Sequence, residues 1–350
     1  MADLKLYTIA DLREWLENNR PAEGLSERVI TPTRAWAIVH NPYVKDEDAI
    51  VAAIFEDGEL AAYTASFPDM LGGKRIWWLT TLWCESEYQG KGYGLIVVGN
   101  LVEAHEPEMS FDLDGAAETQ EIMRFLRYKI AYTPQYQYEA KSIDENVVRG
   151  KISAIMEKII RTFMARKNAL RRRISKTKYQ LRYINYIDDA TYEFIQKHAK
   201  QQDEFKHTQS FYNWVLTYPI CIETPLINQV NSRCAFPAIE RVSKRYAVQV
   251  LEDEKIKAFY IIKNTEGAIE VQFLYYDDDY AEQTYCSIAE HVLVFKSKGL
   301  ITTDKKLSEF IRPYRMFSKC RIYNKSFAYP ESYEYNGEKQ LQMGDGDNFA

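Results

Sequence analysis

Cysteine and histidine are scarce in this sequence, and what there is of them is scattered. The five cysteines, Cys84, Cys221, Cys234, Cys286 and Cys320, are odd in number and never spaced as CxxC. That argues against a disulfide framework or a structural zinc site and fits a reducing compartment. The five histidines form no HExxH and no close pair, so no metal is expected. No apolar run approaches the roughly 20 residues that a membrane helix needs. The N-terminus, MADLKLYTIADLREWLENN, carries charges where a signal peptide needs an apolar stretch. A cytoplasmic protein without a membrane partner is the expectation. Neither sign of charge dominates: 45 Lys and Arg against 50 Asp and Glu leave a formal charge of -5. Any attraction for polyanions must therefore come from a local patch. The P-loop pattern GxxxxGK[ST] is missing too, as is a GxGxxG after the first strand.

What is present points to two folded units. With 350 residues, 46% of them hydrophobic, the chain has material for two cores. Aromatic residues, 26 tyrosines among them, favour sheet-rich packing. Residues 8–19 read as an amphipathic helix capped by Thr8, with Leu12, Trp15 and Leu16 on one face. Residues 34–40 and 49–56 read as strands, and Asp57-Gly58 turns the second of these into a hairpin with 60–67. The run RIWWLTTLWC at 75–84 suits a central strand buried on both faces. A glycine-rich turn follows, then a helix over 95–104, a strand over 109–113 and a helix over 116–132. This succession predicts an α/β domain with a mixed sheet.

Between about 145 and 178, apolar residues recur with helical period, from Ile152 through Met164, on a helix rich in Lys and Arg. Its cluster Arg171-Arg172-Arg173 is the one place where a nucleic-acid contact is conceivable. The second half repeats the first by pattern. A helix is expected over 189–200, a hairpin over 246–251 and 257–263, a strand over 268–276, a helix over 280–298 capped by Gly299, and a strand over 300–303. Where the first half has its glycine-rich turn, the second has Tyr276-Asp277-Asp278-Asp279-Tyr280. The tail from Gly337 is expected to be frayed.

The segment that carries chemistry is Leu82-Trp83-Cys84-Glu85-Ser86-Glu87-Tyr88-Gln89-Gly90-Lys91-Gly92-Tyr93-Gly94. It joins a buried strand to a helix, and unpaired N–H groups at a helix N-terminus favour an anion such as a pyrophosphate. Glycines at 90, 92 and 94 let the backbone approach phosphate oxygens and adopt positive φ. Lys91 adds charge at the rim.

This segment resembles the Q/R-x-x-G-x-G/A signature of the GNAT family of N-acetyltransferases, met by Gln89, Gly92 and Gly94, and the likeness extends over about residues 1–140. The resemblance implies acetyl-CoA as cosubstrate. Its pantetheine arm would be bound by the strand end Leu82, Trp83 and Cys84, and its pyrophosphate by the turn Gln89, Gly90, Lys91, Gly92, Tyr93 and Gly94. It implies direct attack of an amine on the thioester, helped by a backbone N–H facing the oxyanion and by a carboxylate that takes the amine's proton. Glu85 and Glu87, near the mouth of such a site, are the candidates. In the family a tyrosine on the helix after the fifth strand often protonates the leaving thiolate, in a pattern resembling N-x-x-A-x-x-x-Y-x-K-x-G-F. Aligning Lys129, Ala131 and Tyr132 with its end puts Arg127 at the tyrosine and Gln120 at the asparagine. Tyr128, one residue away and about 100° around a helix, is the candidate acid. The second half resembles the family loosely and lacks the Q-x-x-G-x-G.

The expected architecture is two GNAT-like domains of mixed α/β type, joined by a long basic helix. Residues 1–144 form the acetyl-CoA-binding domain and 145–180 the linking helix. Residues 181–336 form a degenerate accessory copy, and 337–350 a flexible tail. The expected function is acetylation of a primary amine on a small molecule or peptide, without a metal. Two readings stay open beside it: a CoA-binding module without turnover, and an acyl transferase acting on an RNA-borne or cell-wall-precursor substrate.

Overall fold

The chain runs through the same succession of elements twice. The computed structural model describes residues 2–139, 154–219, 222–223, 239–240, 242–265, 267–314, 317 and 319–346; for 154–164, 222–223 and 239–240 it describes the backbone alone. The first pass comprises β1 (Ala2–Thr8), α1 (Ile9–Asn18), α2 (Pro32–Val39), β2 (Ala49–Glu56), β3 (Glu59–Leu71), β4 (Lys74–Cys84), α3 (Tyr93–His105), β5 (Met109–Leu113), α4 (Ala117–Phe125) and β6 (Tyr128–Glu139). Helix α5 (Ala154–Lys176) follows. The second pass begins with β7 (Gln180–Ile184), α6 (Asp189–Gln202) and α7 (Gln209–Thr217). Two short strands, β8 (Ile222–Glu223) and β9 (Ile239–Glu240), pair only with each other. The second pass then resumes with β10 (Ser243–Glu252), β11 (Lys255–Thr265), β12 (Ala268–Tyr276), α8 (Ala281–Val294), β13 (Gly299–Thr302), α9 (Lys305–Ile311) and β14 (Lys319–Pro330). Cys221, Cys234 and the start of the expected linking helix (145–153) lie outside the described residues.

Twelve strands form one mixed sheet in the order β1-β2-β3-β4-β5-β14-β6-β13-β12-β11-β10-β7. Exchanging the two halves reverses this order without changing it, so the sheet has the connectivity of a twofold repeat. Its middle is an exchange of final strands. β14, last of the second half, pairs with β5 of the first, and β6, last of the first half, pairs with β13 of the second. β14 and β6 run antiparallel along twelve residues, from Lys319↔Glu139 to Pro330↔Tyr128. A cut at 144 thus separates the halves in sequence, while in space each half holds the other's last strand.

Four expectations are corrected. Residues 34–40 form helix α2 and not a strand, because Thr31 caps it by accepting from the Arg34 N–H and Pro32 is preorganised at its first turn. The helix expected to reach Tyr132 stops at Phe125; Arg127 takes φ 65° and Tyr128 begins β6. The alternating Tyr132, Pro134, Tyr136 and Tyr138 are strand-periodic, and Pro134 lies just before the pairing with β13 begins, where it need not donate to a second neighbour. Gly299 caps no helix: α8 ends at Val294, Lys296 takes the left-handed φ of 52°, and Gly299 opens β13. The tail is not frayed over 337–346, where Leu341, Gln342, Met343 and Asp345 are buried. Residues 347–350 lie outside the described residues.

The reason for the tail's order is long-range. The Gly344 N–H donates to the Gln272 carbonyl at 2.8 Å, and a Cβ at Gly344 would stand 2.2 Å from the Phe273 ring, so only glycine lets the strand of tail lie there. Asp345 accepts from His207 Nε2 at 2.7 Å, while His207 Nδ1 faces Asp69 at 3.1 Å; all three side chains are fully buried. Trp78 Nε1 donates to the same Asp69 at 3.0 Å. First half, second half and tail are thus fastened at one point. Around it lies a single core drawn from both halves, in which Trp78 packs with Phe111, Phe205 and Phe327, and Phe211 and Phe273 lie around His207. Separate clusters under α3 and under α8 cover the opposite face.

Candidate functional site

Strand β4 is regular up to Leu79, which pairs in parallel with Asp112 of β5; beyond that pair the two strands no longer bond. The cause is a bulge. Against β3 the register jumps from Ala65↔Thr80 to Tyr63↔Trp83, and Thr81 sits at φ 51°. A β-branched residue in the left-handed region is an outlier that costs on the order of 1–3 kcal/mol and concentrates at working sites. The bulge re-aims the strand end and opens a gap between β4 and β5.

After Cys84 the chain makes a single 3-10 turn (Ser86–Tyr88) and reaches α3 through Gln89–Gly92. Gly90 and Gly92 have φ of 82° and 80°, and a Cβ at either would meet no atom within 4 Å. The two glycines therefore face open space. Gly92 is the N-cap of α3 and provides no side-chain cap; the first intrahelical bond is from Ile96 N–H to the Gly92 carbonyl. The N–H groups of Tyr93, Gly94 and Leu95 are thereby left outside the helical ladder, at its positive end. They border a cleft of about 790 Å³ lined by Leu82, Trp83, Cys84, Tyr88, the glycine turn and the α4 face Glu118–Phe125.

A second cavity, of about 430 Å³, lies in the gap between β4 and β5. Leu82, Ala116 and Thr119 line both, so the cleft and the cavity adjoin at the bulge. The cavity is composite. The first half supplies Arg34, Leu79–Leu82 and Asp112–Ala116; the second supplies Glu270, Ile301, Lys325 and Met343. Arg34 is buried and donates to Thr80 Oγ1 at 3.2 Å, and Lys325 pairs with Asp114 at 3.1 Å.

Of the residues singled out from sequence, Leu82, Trp83, Cys84, Gln89, Gly90, Gly92, Tyr93 and Gly94 line the one cleft. Burial and the neighbouring Glu85 push the Cys84 thiol pKa up, which keeps it neutral. Lys91 does not line the cleft: its ammonium pairs with Glu56 at 2.7 Å, and the Tyr93 hydroxyl donates to the same carboxylate at 2.9 Å. Gln120 turns away, donating to the Gly115 carbonyl at 2.9 Å and accepting from Tyr132. The catalytic candidates are not gathered. Glu85 lies beside Arg28 at 3.4 Å, Glu87 is exposed, and neither lines the cleft or the cavity. Tyr128, on a strand instead of a helix, is buried in the core beneath α3, and burial drives its pKa well above the usual value. Sequence reasoning missed Arg34, Thr81 and Asp112, which no local motif marks, and Glu270 and Lys325, which the second half brings to the cavity.

The equivalent place in the second half is built differently. β12 carries its own bulge, between Ile262↔Val271 and Ile261↔Phe273, and the Asp277 N–H bonds to the Lys257 carbonyl much as the Glu85 N–H bonds to Ala61. Its 3-10 turn (Asp278–Tyr280) runs straight into α8 with no glycine between. Asp277 accepts from Lys197 at 2.8 Å and lies 3.3 Å from His198 and 3.6 Å from Lys257. The bulge itself is covered by the tail, through the bond from Gly344 to Gln272. The basic cluster on α5 is exposed, and Arg173 is tied to Glu282 and to the Tyr314 hydroxyl, each at 2.7 Å. Among the described residues no group of three or more His, Cys, Asp or Glu could hold a metal, and no helix is long and apolar enough to cross a membrane.

Residues 9–128 match the family model described as the acetyltransferase (GNAT) family. No curated protein matches the chain in sequence. Solved structures match it in shape across nearly its whole length. A putative acetyltransferase from Pyrococcus horikoshii is 11% identical, over 97% of this chain and 91% of its own, with a TM-score of 0.50. Saccharomyces cerevisiae N-myristoyltransferase with bound myristoyl-CoA is 11% identical, over 94% and 82%, with a TM-score of 0.51. A tandem GNAT protein from the clavulanic acid biosynthesis pathway is 9% identical, over 96% and 100%, with a TM-score of 0.51. At such identities the likeness is one of fold: a tandem arrangement of which this chain has both halves.

Proposed function

We propose that the protein, whose residues 9–128 match the acetyltransferase (GNAT) family model, is an acyltransferase that uses acetyl-CoA to acetylate a primary amine, in the cytoplasm, with one working cofactor site, in the first half. The observation that carries this reading is the continuity of two spaces at a strained bulge: a glycine-walled cleft at the head of α3 and a polar cavity between β4 and β5, meeting at Leu82.

In this reading the pyrophosphate lies against the amides at the head of α3, where partial positive charge and the absence of side chains at Gly90 and Gly92 favour it. The pantetheine follows Cys84, Trp83 and Leu82 toward the bulge. There the thioester meets the cavity that admits the acceptor. The acceptor nitrogen, once deprotonated, attacks the thioester carbonyl, the C–S bond breaks, and the thiolate leaves as CoA after taking a proton. An N–H of the re-aimed stretch 80–82 faces the developing oxyanion, a contribution worth about 2.7–4 kcal/mol where it has been removed elsewhere. Tyr128 is buried outside both spaces, so the leaving thiolate takes its proton from another source.

Calorimetric titration with acetyl-CoA tests the reading, with Gly92→Asp as the comparison. Wild-type binding in the micromolar range that is lost in the variant supports it. Unaltered affinity in Gly92→Asp sinks the pyrophosphate assignment. Binding without any acetyl-CoA consumption in the presence of amines would reduce the protein to a CoA-binding module.

A further inference from the structure

At its own turn the second half has no glycine-lined approach to a helix. It also contributes a wall to the first half's cavity, and on that wall stands a carboxylate that the catalytic scheme above does not use. Glu270, on β12, lines the same cavity as Leu79–Leu82, is half-buried, and stands in none of the ion pairs shown among the described residues. The cavity's other carboxylates, Asp112 and Asp114, lie at the end of β5 and in the turn after it. Asp114 is held by Lys325 at 3.1 Å, and the Asp112 carboxylate folds onto its own turn, 2.4 Å from where a Cβ on Gly115 would lie. Glu85, the carboxylate next along β4, faces Arg28.

Resting on the acetyl-CoA reading, we propose that Glu270 is the catalytic base of the first half's site: it receives the acceptor's ammonium in the cavity and removes its proton, so that the second half completes the active site. The acceptor is then a primary amine that enters as its cation. The step balances: one ammonium proton passes to the Glu270 carboxylate, and the nitrogen lone pair forms the C–N bond as the C–S bond breaks. The thiolate takes up the second nitrogen proton as the amide forms, and Glu270 returns its proton to solvent. Charged groups around the carboxylate are Lys263 across β11, Lys325 on β14, Arg34 on α2 and the two aspartates of β5 and its following turn.

The test uses two small nucleophiles with the whole protein. Methylamine is protonated at neutral pH and needs a base, while hydroxylamine is largely unprotonated and does not. Thiol release from acetyl-CoA is followed in wild type, Glu270→Gln and Glu270→Asp, beside acetyl-CoA titration and melting temperature for each. The expected result for Glu270→Gln is a fall of about 100-fold with methylamine, a fall of less than about threefold with hydroxylamine, partial recovery in Glu270→Asp, and unchanged affinity for acetyl-CoA. Equal losses with both nucleophiles, or no loss with methylamine, overturns the assignment. So does an absence of protein-dependent thiol release with either nucleophile while acetyl-CoA still binds. Loss of acetyl-CoA binding in the wild type would instead bring down the reading beneath it.

Discussion

The turn at 85–92 and the turn at 277–280 occupy equivalent places in a repeated fold, and one is built to receive an anion while the other supplies its own. Both follow a bulged strand, both begin with an N–H bonded to the neighbouring strand, and both lead to a helix. The first then spends four residues, Gln89 to Gly92, on a glycine-lined approach that leaves helix N–H groups outside the ladder. The second spends none, and sets three aspartates before its helix with Asp277 bound by lysines. A repeat therefore conserves framework more readily than site, because the framework is held by a core common to both halves while the site depends on a few residues of loop.

The comparison is broken or sharpened most strongly at Gly92. Gly92→Asp is expected to weaken acetyl-CoA binding by more than about 100-fold, by placing a negative charge and a strained φ at the phosphate position. Asp278→Ala, at the other turn, is expected to leave it unchanged. Next in size is the fastening that joins the halves. Asp345→Ala leaves the buried His207 with one carboxylate, and loss of one partner from a buried charged cluster costs about 3–5 kcal/mol. Chemical denaturation is expected to show that loss in one transition common to both halves; two separate transitions would mean that the common core does not couple them.

The same cluster sets a pH dependence. Burial alone would lower the His207 pKa, but Asp69 and Asp345 outweigh it and raise the value to about 10. A raised folded-state pKa stabilises fully below the unfolded value of about 6.5 and is lost as pH climbs toward 10. Asp203, raised to about 7 by burial and by Asp345, acts in the same direction at lower pH. The melting temperature is expected to fall steadily from pH 6 to 10, and to fall less steeply in Asp345→Ala; a flat or rising profile contradicts the charge assignment.

Smaller effects separate rim from cleft. Lys91 is committed to Glu56 but carries its charge close to the turn, so Lys91→Ala is expected to weaken acetyl-CoA binding only slightly, by about three- to tenfold. Glu85→Gln, beside Arg28 and outside both spaces, is expected to change turnover by less than about twofold. A large loss there would return the base to the position first expected from the sequence.

How much could be read in advance follows the range of the interactions. The run RIWWLTTLWC and the glycine turn after it were legible because strand, turn and helix head are local and each residue type has a local reason. Helix α2 was misread although Thr31-Pro32 is a start signal, because Arg34–His40 is short and apolar enough to pass for a strand. β6 was hidden by a helical pattern that runs on through Tyr128, and the αL turn at Arg127 has no glycine to announce it. The tail looked disordered because its few apolar residues show no period; its order comes from Gly344 against Phe273 and Asp345 against His207, partners 71 and 138 positions away. The composite cavity was invisible for the same reason: Glu270 and Thr80, 190 positions apart, line one cavity only in the folded sheet.

The central claim is that two equivalent halves make one cofactor site. The stoichiometry of acetyl-CoA binding to the intact chain tests it most directly, measured by calorimetry at protein concentrations well above the dissociation constant. One molecule per chain, falling to none in Gly92→Asp, is the result this account requires. Two molecules per chain, or one that survives in Gly92→Asp, would place cofactor at the aspartate-lined turn and contradict it.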